Sequence, residues 1–506
     1  MKLPIVLFNP KSCRRRNRRF PLSIYALIPL LREAGYEPLV LDGNLSRDPI
    51  GEAVEHLRSG RGLLATTVMP GPQVLQAYEA AVAVRKHNPE ARIVWGGYFA
   101  SMHTATCLKG GVVDYVVKGR GEHALLELAN QLSSGADGRA TPGVCIWNQG
   151  ELVQNPAPPL PPPEEIPQFD YTGVPVEPYL NPTYLGRRTA GQNISYGCAW
   201  ACNFCAVTAV YGRRYKALTP ETAAKTLHLL ADRWGVDSAE FYDNDFFINV
   251  PRTVELAEQM PRNWRWWAYG RCDEMMSLTH AQWSKLRQSG MSMVYMGAES
   301  GSISVLKRMH KDLALEETLE AARRFRSYGV VPEFSFVLGN PVDPETDVRE
   351  SIEFIRKLQA VNPACEIIIY KYTPMPVSGE LFQGATERGF RYPDTLEEWL
   401  TERWQSFSLM RDPRTPWLPP ELARRIDEFD LTLQAYHPSP GVMHVSPWVR
   451  TVLKGLASWR YHTGYYRHPY ELKAALKLAR YAPLSSEGFP RERPSKSKST
   501  NAGAMA

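Results

Sequence analysis

Three cysteines carry the strongest chemical signal in the sequence: Cys198, Cys202 and Cys205, in the stretch SYGCAWACNFCAV. Their spacing is C-x3-C-x2-C, and the other five cysteines (Cys13, Cys107, Cys145, Cys272, Cys365) are scattered. Thiolates at this density select zinc or an iron–sulfur cluster. A cubane cluster normally takes four thiolates. Only three are local here, and no Cys or His follows within a short reach. A cubane held by three would leave one iron open to a small molecule. Zinc would need a fourth partner from a distant part of the chain. The spacing therefore favours the cluster, with zinc as the alternative and three unligated buried thiols as the bland one.

The elements that must position these thiols read as a second βα series over residues 190–375, with strands NISYG, AEFYDND, RWWAYGR, SMVYMGAES, EFSFVLG and EIIIYKYTP. Six βα units predict a barrel or part of one, with its chemistry at the C-terminal strand ends. Asp243, Asn244, Asp245, Arg271, Glu299 and Ser300 fall there. For the acidic residues the competing role is a solvated helix cap, and for Arg271 a structural ion pair. An earlier series over residues 3–130 alternates β-branched runs with helical patterns and predicts a doubly wound parallel sheet. Its ligand edge lies beyond the C-terminal strand ends. That places Asn9 to Ser12, Thr66 and Thr67, Gly96, Gly97 and Tyr98, and Gly119, Gly121 and Glu122 at a candidate site whose small residues let a flat ligand approach.

The boundaries follow from composition: 1–150 for the first α/β domain, a proline-rich linker at 151–185, the partial barrel at 186–380, a helical segment at 381–483 and a disordered tail at 484–506. Hydrophobic residues make up 44% of the 506, charged residues 22%, and the net charge is +6. That is globular composition, and the mild charge does not by itself call for nucleic acid. No apolar run is long enough to span a bilayer. The basic-then-apolar stretch CRRRNRRFPLSIYALIPLL resembles an export signal, but a strand-like LPIVLFNP precedes it and Pro29, Arg32 and Glu33 interrupt it. The expectation is a loop followed by a helix, in a cytoplasmic protein. Arg14, Arg15, Arg16, Arg18 and Arg19 read as a solvated loop. Met291, Met293 and Met296 read as core, and among Trp264, Trp266 and Trp267 at least one as barrel packing. The basic aromatic segment from Trp448 to Tyr481 reads first as packing helix, second as a surface for a membrane or a lipid-like substrate.

The C-x3-C-x2-C motif resembles the signature of the radical S-adenosylmethionine (SAM) superfamily. The resemblance implies that Cys198, Cys202 and Cys205 bind a 4Fe–4S cluster, with SAM on the fourth iron and cleaved to a 5′-deoxyadenosyl radical. Phe204 matches the aromatic placed near the adenine. DNDFFIN looks like the family's cofactor-binding turn, which puts Asp243, Asn244 and Asp245 near the methionyl amine. GAESGSISVLKRMHK looks like the fourth-strand motif, with Glu299 and Ser300 near the ribose or carboxylate, and Arg271 could face the cofactor. FSFVLGNPVDPETD and YKYTPMPVSG look like the fifth and sixth strands with their turns.

The N-terminal domain resembles the cobalamin-binding domain of one large branch of this superfamily. IVWGGYFASMH and VVDYVVKGRGEHALLEL carry that likeness, with Arg120 in place of the first glutamate of D-Y-V-V-x-G-E-G-E and Glu122 retained. The D-x-H-x-x-G signature that supplies a cobalt ligand elsewhere is absent. His103 and Cys13 could reach the cobalt, though a polar loop residue and a small buried thiol are the favoured roles. The rival for this domain is a degenerate Rossmann-like module used for packing.

The resulting expectation is an α/β protein: a Rossmann-like doubly wound cobalamin-binding domain, a central partial (β/α)6 radical SAM barrel and a helical C-terminal domain. The function implied is methyl transfer to an unactivated carbon of a small-molecule metabolite, lipid-like or a natural-product intermediate. An electron donor such as flavodoxin or ferredoxin would serve it, with no nucleic acid partner. Oxidation or cyclisation of the porphyrin-cyclase kind is the enzymatic alternative. A zinc-stabilised binding protein is the alternative of another class. No catalytic side chain is singled out.

Overall fold

Aliphatic and β-branched runs form the first sheet. Its strands are β1 (Ile5–Asn9), β2 (Leu39–Asp42), β3 (Leu63–Thr67), β4 (Arg92–Gly96) and β5 (Tyr115–Val117), in the order β2-β1-β3-β4-β5 and all parallel. Helices such as Pro72–His87 and Glu122–Ser133 cover the sheet, which buries β1 at every position. The order reverses between β1 and β3, where such sheets open their ligand crevice. Two further strands, β6 (Val144–Asn148) and β7 (Glu151–Gln154), extend the sheet as an antiparallel hairpin. Gln149 and Gly150 turn it with φ of 49° and 89°, the left-handed pair that a tight hairpin needs.

This computed structural model describes residues 2–13, 17–157, 159, 161–377, 379–408, 415–438 and 447–478. Arg14, Arg15, Arg16 and the tail from 484 onward lie outside the described residues.

The second series supplies β8 (Thr189–Gln192), β9 (Ser195–Gly197), β10 (Tyr215–Ala217), β11 (Ser238–Phe241), β12 (Arg265–Gly270), β13 (Met291–Glu299), β14 (Val331–Leu338) and β15 (Glu366–Lys371). Six of them form an all-parallel sheet in the order β8-β11-β12-β13-β14-β15. The helices between them start and stop on side-chain signals. Thr219 caps Pro220–Trp234 by accepting from the Thr222 N–H, and Gly235 ends it in a left-handed turn. Asp343 caps Pro344–Val361 in the same way through the Thr346 N–H.

One strand assignment is corrected. NISYG does not supply the first barrel strand; Thr189–Gln192 does, and Ser195–Gly197 pairs antiparallel with β10 instead. After Gln192 the Asp243 carboxylate takes the Ile194 N–H at 3.1 Å, so a side chain replaces the next rung of the parallel ladder. The chain is then free to turn out into the hairpin that presents Cys198.

The proline-rich stretch is tied to both sheets. Asp170 pairs with Arg32 at 2.5 Å, the Pro175 carbonyl accepts from the Tyr25 hydroxyl at 3.1 Å, and the Tyr179 hydroxyl donates to Asp42. On the barrel side the Tyr171 hydroxyl meets Gln192. Chain contacts divide the protein after Ile426. Within the first unit, residues beyond the barrel build an aromatic cluster of Phe390, Tyr392, Trp399, Trp404 and Phe407. The second unit has its own core of Ala435, Leu453, Ala457, Leu472 and Leu476, and Arg460 is ion-paired to Glu471 within it. Trp448, Trp459 and Tyr470 of that unit are exposed. No helix among the described residues is long and apolar enough to cross a membrane.

Candidate active site

The β9–β10 hairpin delivers Cys198, and the following loop delivers Cys202 and Cys205. Gly197 sits at φ +76°, and a Cβ there would lie 2.0 Å from the Arg214 carbonyl oxygen, so only glycine fits where the two strands meet. All three thiols are free. Among the described residues no three His, Cys, Asp or Glu side chains are gathered tightly enough to hold a single ion. The three thiols instead lie within electrostatic reach of one another, and burial pushes Cys198 up to about 12. Phe204 is half-buried between them in sequence.

Two cations face the thiols. The Arg271 guanidinium lies 3.8 Å from Cys202 Sγ, stacks 3.9 Å over the Trp200 ring and pairs with Asp273 at 2.9 Å. The ion pair weighed as its alternative role is present, and the guanidinium also lies beside a motif cysteine. Lys311 is buried and pairs with Glu299 at 3.0 Å. Burial opposes its charge, but Glu299 and Cys202 outweigh that and keep it a cation. Glu299 itself sits at φ +63°, a left-handed position at the end of β13. Ser300 faces elsewhere. Its hydroxyl donates to Asp347 Oδ1 at 2.6 Å, and Asp347 Oδ2 accepts the Gly339 and Asn340 N–H groups. Ser300 thus braces the end of β13 against the end of β14.

Asp243 and Asp245 are both buried, and Asp243 Oδ2 has no hydrogen-bond partner. Burial raises Asp243 to about 6. It also raises Asp245, which shares a hydrogen bond with Glu274. Burial and the Asp245 charge push the Glu274 carboxyl up, so the two acids titrate as a coupled pair. Trp200 Nε1 donates to Glu274 Oε1 at 3.2 Å. Asn244 points the other way and accepts from the Tyr98 hydroxyl at 3.3 Å.

Tyr98 lies in the helix Gly97–Met102 that follows β4, so that hydrogen bond joins the two predicted ligand edges. Gly97, at φ +88°, packs against the Val68 backbone, which a Cβ would meet at 2.9 Å. Gly96 ends β4, and Gly119 donates its N–H to Ser101 at 3.1 Å. The Thr66 hydroxyl is buried without a partner, and the Thr67 hydroxyl meets Ser23 at 3.1 Å. Ser12 N–H donates to Asn44 Oδ1 at 3.0 Å. Gly121 opens the helix that begins at Glu122. Glu122 is buried against Arg120, and the Arg120 guanidinium stacks 3.8 Å over Tyr196 in the cysteine hairpin. The Arg120 departure thus creates a charge pair that reaches across to the barrel. His103 is packed among Phe99, Tyr392 and Trp399, and burial lowers it to about 4. Cys13 Sγ lies 3.4 Å from Asn44.

The residues present fit the groups implied for them. The coupled Asp245–Glu274 pair, with Asp245 in electrostatic reach of Cys198, and the orphaned Asp243 oxygen two residues before it suit an ammonium-bearing cofactor on a cluster. The glycine edge at 96–97 and the orphaned Thr66 hydroxyl suit a broad, polar-rimmed ligand.

The barrel interior was not foreseen as polar. Glu240, Glu333, Glu366, Tyr242, Tyr269 and Tyr295 point into it and remain half-exposed. Met291, Met293 and Met296 are buried, and Trp266 lies under the helices with Phe241 and Phe246. Trp267 points inward, and its Nε1 donates to Glu333 Oε2 at 2.9 Å. Arg19 is exposed, as its loop was expected to be, and its guanidinium also reaches Glu240 at 3.8 Å and lies 4.8 Å over Tyr242. Its loop lies against the barrel because Asn181 donates to the Arg18 carbonyl.

Burial, then the Glu366 and Glu240 charges, raise Glu333 to about 8. Folding therefore favours its protonated form. The stability it contributes is complete below the ordinary carboxylate range and is lost as pH rises through about 8. Glu333→Gln is expected to stabilise the fold at pH 8.5 by on the order of 2–4 kcal/mol, read as a higher thermal midpoint, and to leave that midpoint nearly unchanged at pH 5. Thermal melts at the two pH values check this; an equal effect at both would contradict it.

Comparison with known proteins agrees with this geometry. Residues 193–355 match the family model of the radical SAM superfamily, and residues 16–129 match that of the B12 binding domain. The chain is 24% identical over 367 residues to an uncharacterized methyltransferase of Pyrococcus horikoshii, covering 71% of this chain and 78% of that one. It is 24% identical over 355 residues to the hopanoid C-3 methylase of Methylococcus capsulatus, covering 67% and 63%. It is also 24% identical over 379 residues to the anaerobic magnesium-protoporphyrin IX monomethyl ester cyclase of Rubrivivax gelatinosus, covering 72% and 66%. The chain thus spans less than two thirds of the length of these last two relatives. The solved structure of the radical SAM methyltransferase TsrM from Kitasatospora setae, with cobalamin and a [4Fe-4S] cluster bound, superposes with a TM-score of 0.66 at 18% identity, over 95% of this chain and 99% of that one. The cobalamin-dependent SAM radical enzyme OxsB superposes with a TM-score of 0.67 at 15% identity, over 95% and 75%. These two likenesses are ones of fold.

Proposed function

We propose that this chain, which belongs to the radical SAM superfamily and carries a B12 binding domain ahead of its barrel, transfers a methyl group to an unactivated carbon of a small-molecule metabolite. The observation that carries this reading is the Tyr98–Asn244 hydrogen bond of 3.3 Å. It brings the ligand edge of the first sheet against the turn beside the cysteines, so a methyl donor on one side and a radical generator on the other can act on one substrate.

When bound, the cluster with SAM supplies one-electron C–H chemistry and cobalamin supplies the methyl group. The chain's own residues position both. Cys198, Cys202 and Cys205 would hold iron, and Arg271 and Lys311 would balance the thiolate charge. Asp243 and Asp245 would lie near the cofactor's ammonium, with Phe204 near the adenine. Glu299 is steered by Lys311 toward the same mouth. Thr66, Thr67, Gly96, Gly97, Gly119 and Ser12 would line the cobalamin side, with Glu122 and Gly121 fixing the last loop. The aromatic cluster around Tyr392 and Trp399 shields that face from water. A low-potential donor such as flavodoxin or ferredoxin, in the cytoplasm, would supply the electron.

The test is metal analysis followed by product mass. Anaerobic protein from cobalamin-fed cells is expected to hold about four iron, four sulfide and one cobalt per chain. Incubation with SAM, reductant and a panel of metabolites is expected to add one methylene unit to one of them. Zinc alone, with no iron after reconstitution, would overturn the reading. A product changed by oxidation or ring closure instead would move the chain to the cyclase side of its relatives.

A further inference from the structure

The loop between β5 and the helix Glu122–Ser133 borders a recess with about 580 Å³ of empty space. Lys118, Arg120, His123 and Arg214 line it, and the proline-rich stretch closes one side, held there by the Gly143 N–H on the Pro156 carbonyl at 3.1 Å. Pro158 and Leu160 of that stretch lie outside the described residues and carry no charge. Among the described residues that line the recess, Glu122 is the only acid. Its carboxylate is already engaged: it accepts Nε of Arg120 at 3.1 and 3.2 Å and Nη2 at 2.5 Å. Nη1 of the same guanidinium has no hydrogen-bond partner, although the Arg120 side chain is only 9% exposed. The Tyr196 ring, 3.8 Å away, holds the guanidinium plane in place. Lys118 and Arg214 are exposed and enter no ion pair among the described residues.

A second set of donors meets the first. The helix Glu122–Ser133 starts at Gly121 with no side-chain cap. Leu125 is the first of its residues to bond back, to the Gly121 carbonyl. The N–H groups of Glu122, His123 and Ala124 therefore have no helical acceptor, and all three residues line the recess. We propose that this recess binds a phosphate group, with Arg120 Nη1 and the open helix end as donors and Lys118 and Arg214 as counter-charges. The helix end favours an anion through its dipole and its free N–H groups. A buried guanidinium N–H without an acceptor is costly, and a charge-assisted bond relieves it. Phosphate fits better than carboxylate because its three free oxygens can meet the guanidinium, the helix end and a side-chain cation together. The group can come from two sources. One is the phosphodiester of cobalamin's nucleotide tail, since Gly119, Gly121 and Glu122 belong to the predicted cobalamin edge. The other is a separate phosphorylated ligand. Neither source requires iron or radical chemistry, so the proposal stands apart from the methyl-transfer reading.

The experiment titrates inorganic phosphate onto the full-length, cobalamin-free protein and follows 31P line broadening by NMR. Saturable binding with a Kd of about 1 mM or below is expected. It is expected to weaken about tenfold or more in Arg120→Gln and severalfold in Lys118→Gln and Arg214→Gln, each shown folded by its thermal midpoint. Lys118 and Arg214 are exposed, so their variants keep the test decisive if Arg120→Gln does not fold. The titration is repeated on protein loaded with cobalamin and with cobinamide, the corrinoid that lacks the phosphate-bearing tail. If the tail supplies the group, cobalamin blocks inorganic phosphate and cobinamide does not. If a separate ligand supplies it, phosphate binds in both. No saturable broadening up to about 10 mM phosphate, complete loss of binding in about 0.1 M sodium chloride, or binding unchanged in the folded variants would overturn the proposal. Iron content and SAM cleavage are read on the same preparation, and their absence would sink the methyl-transfer reading while leaving phosphate binding untouched.

Discussion

Replacing Cys202 by serine is expected to remove the iron–sulfur absorbance and to lower SAM cleavage by about a thousandfold or more. The argument lies in the surroundings of this thiol. Cys202 is buried, with Arg271 3.8 Å from its sulfur. Lys311 also feels its charge. Two cations gathered at one buried sulfur are suited to a thiolate that stays charged on iron. A serine hydroxyl is a harder ligand with a far higher pKa, and it would leave Arg271 and Lys311 facing a neutral group. The domain that carries the B12 match is untouched, so cobalamin uptake is expected to persist. Iron and cobalt are therefore measured together. Four irons per chain and undiminished SAM cleavage in Cys202→Ser would remove the three-thiol assignment.

The second large effect is expected from a residue with no chemistry of its own. In Gly197→Ala the new methyl would stand 2.0 Å from the Arg214 carbonyl oxygen, at a backbone φ of +76°. Backbone must move, because the clashing atom is not a flexible side-chain end. Left-handed strain adds about 1–2 kcal/mol to that clash. The β9–β10 hairpin is expected to open, displacing Cys198 from its neighbours, and iron loading to fall about tenfold or more. Gly212→Ala is the control. It carries the same kind of strain at φ +64° with nothing within 4 Å of the new methyl. Iron loading close to the parent in Gly212→Ala and lost in Gly197→Ala would separate hairpin geometry from general destabilisation. Equal loading in both would refute the positioning role of the hairpin.

Much of this architecture was legible because periodicity and spacing are local. The parallel strands of both sheets announce themselves as apolar runs between helical patterns. The caps at Thr219 and Asp343 stand where the residue types put them. What escaped reading was decided by partners distant in sequence. NISYG has strand composition, yet its partner is fixed by Asp243 taking the Ile194 N–H and by Gly197 meeting Arg214. The β6–β7 hairpin left only a short turn signal at Gln149 and Gly150. Lys311 closes a motif already quoted for Glu299, but nothing local says that the two pair. Glu274, which is coupled to Asp245, carries no spacing signal at all. Arg19 sits in a run of arginines that reads as solvated, and only the fold brings it to Glu240. The polar barrel interior was readable in principle, since Glu240, Glu333 and Glu366 all interrupt apolar strands.

The proline-rich stretch has a consequence for how such proteins can be recombined. It is stitched to the first module at Arg32, Tyr25 and Asp42, and to the barrel at Gln192. A tether can be cut and its halves exchanged; a seam cannot. A chimaera that grafts a foreign N-terminal module before residue 151 would strand Asp170 and Tyr179 without their partners. It would also leave Glu240 without the guanidinium that comes from the module's first loop. The working unit is therefore the pair of modules with the seam between them.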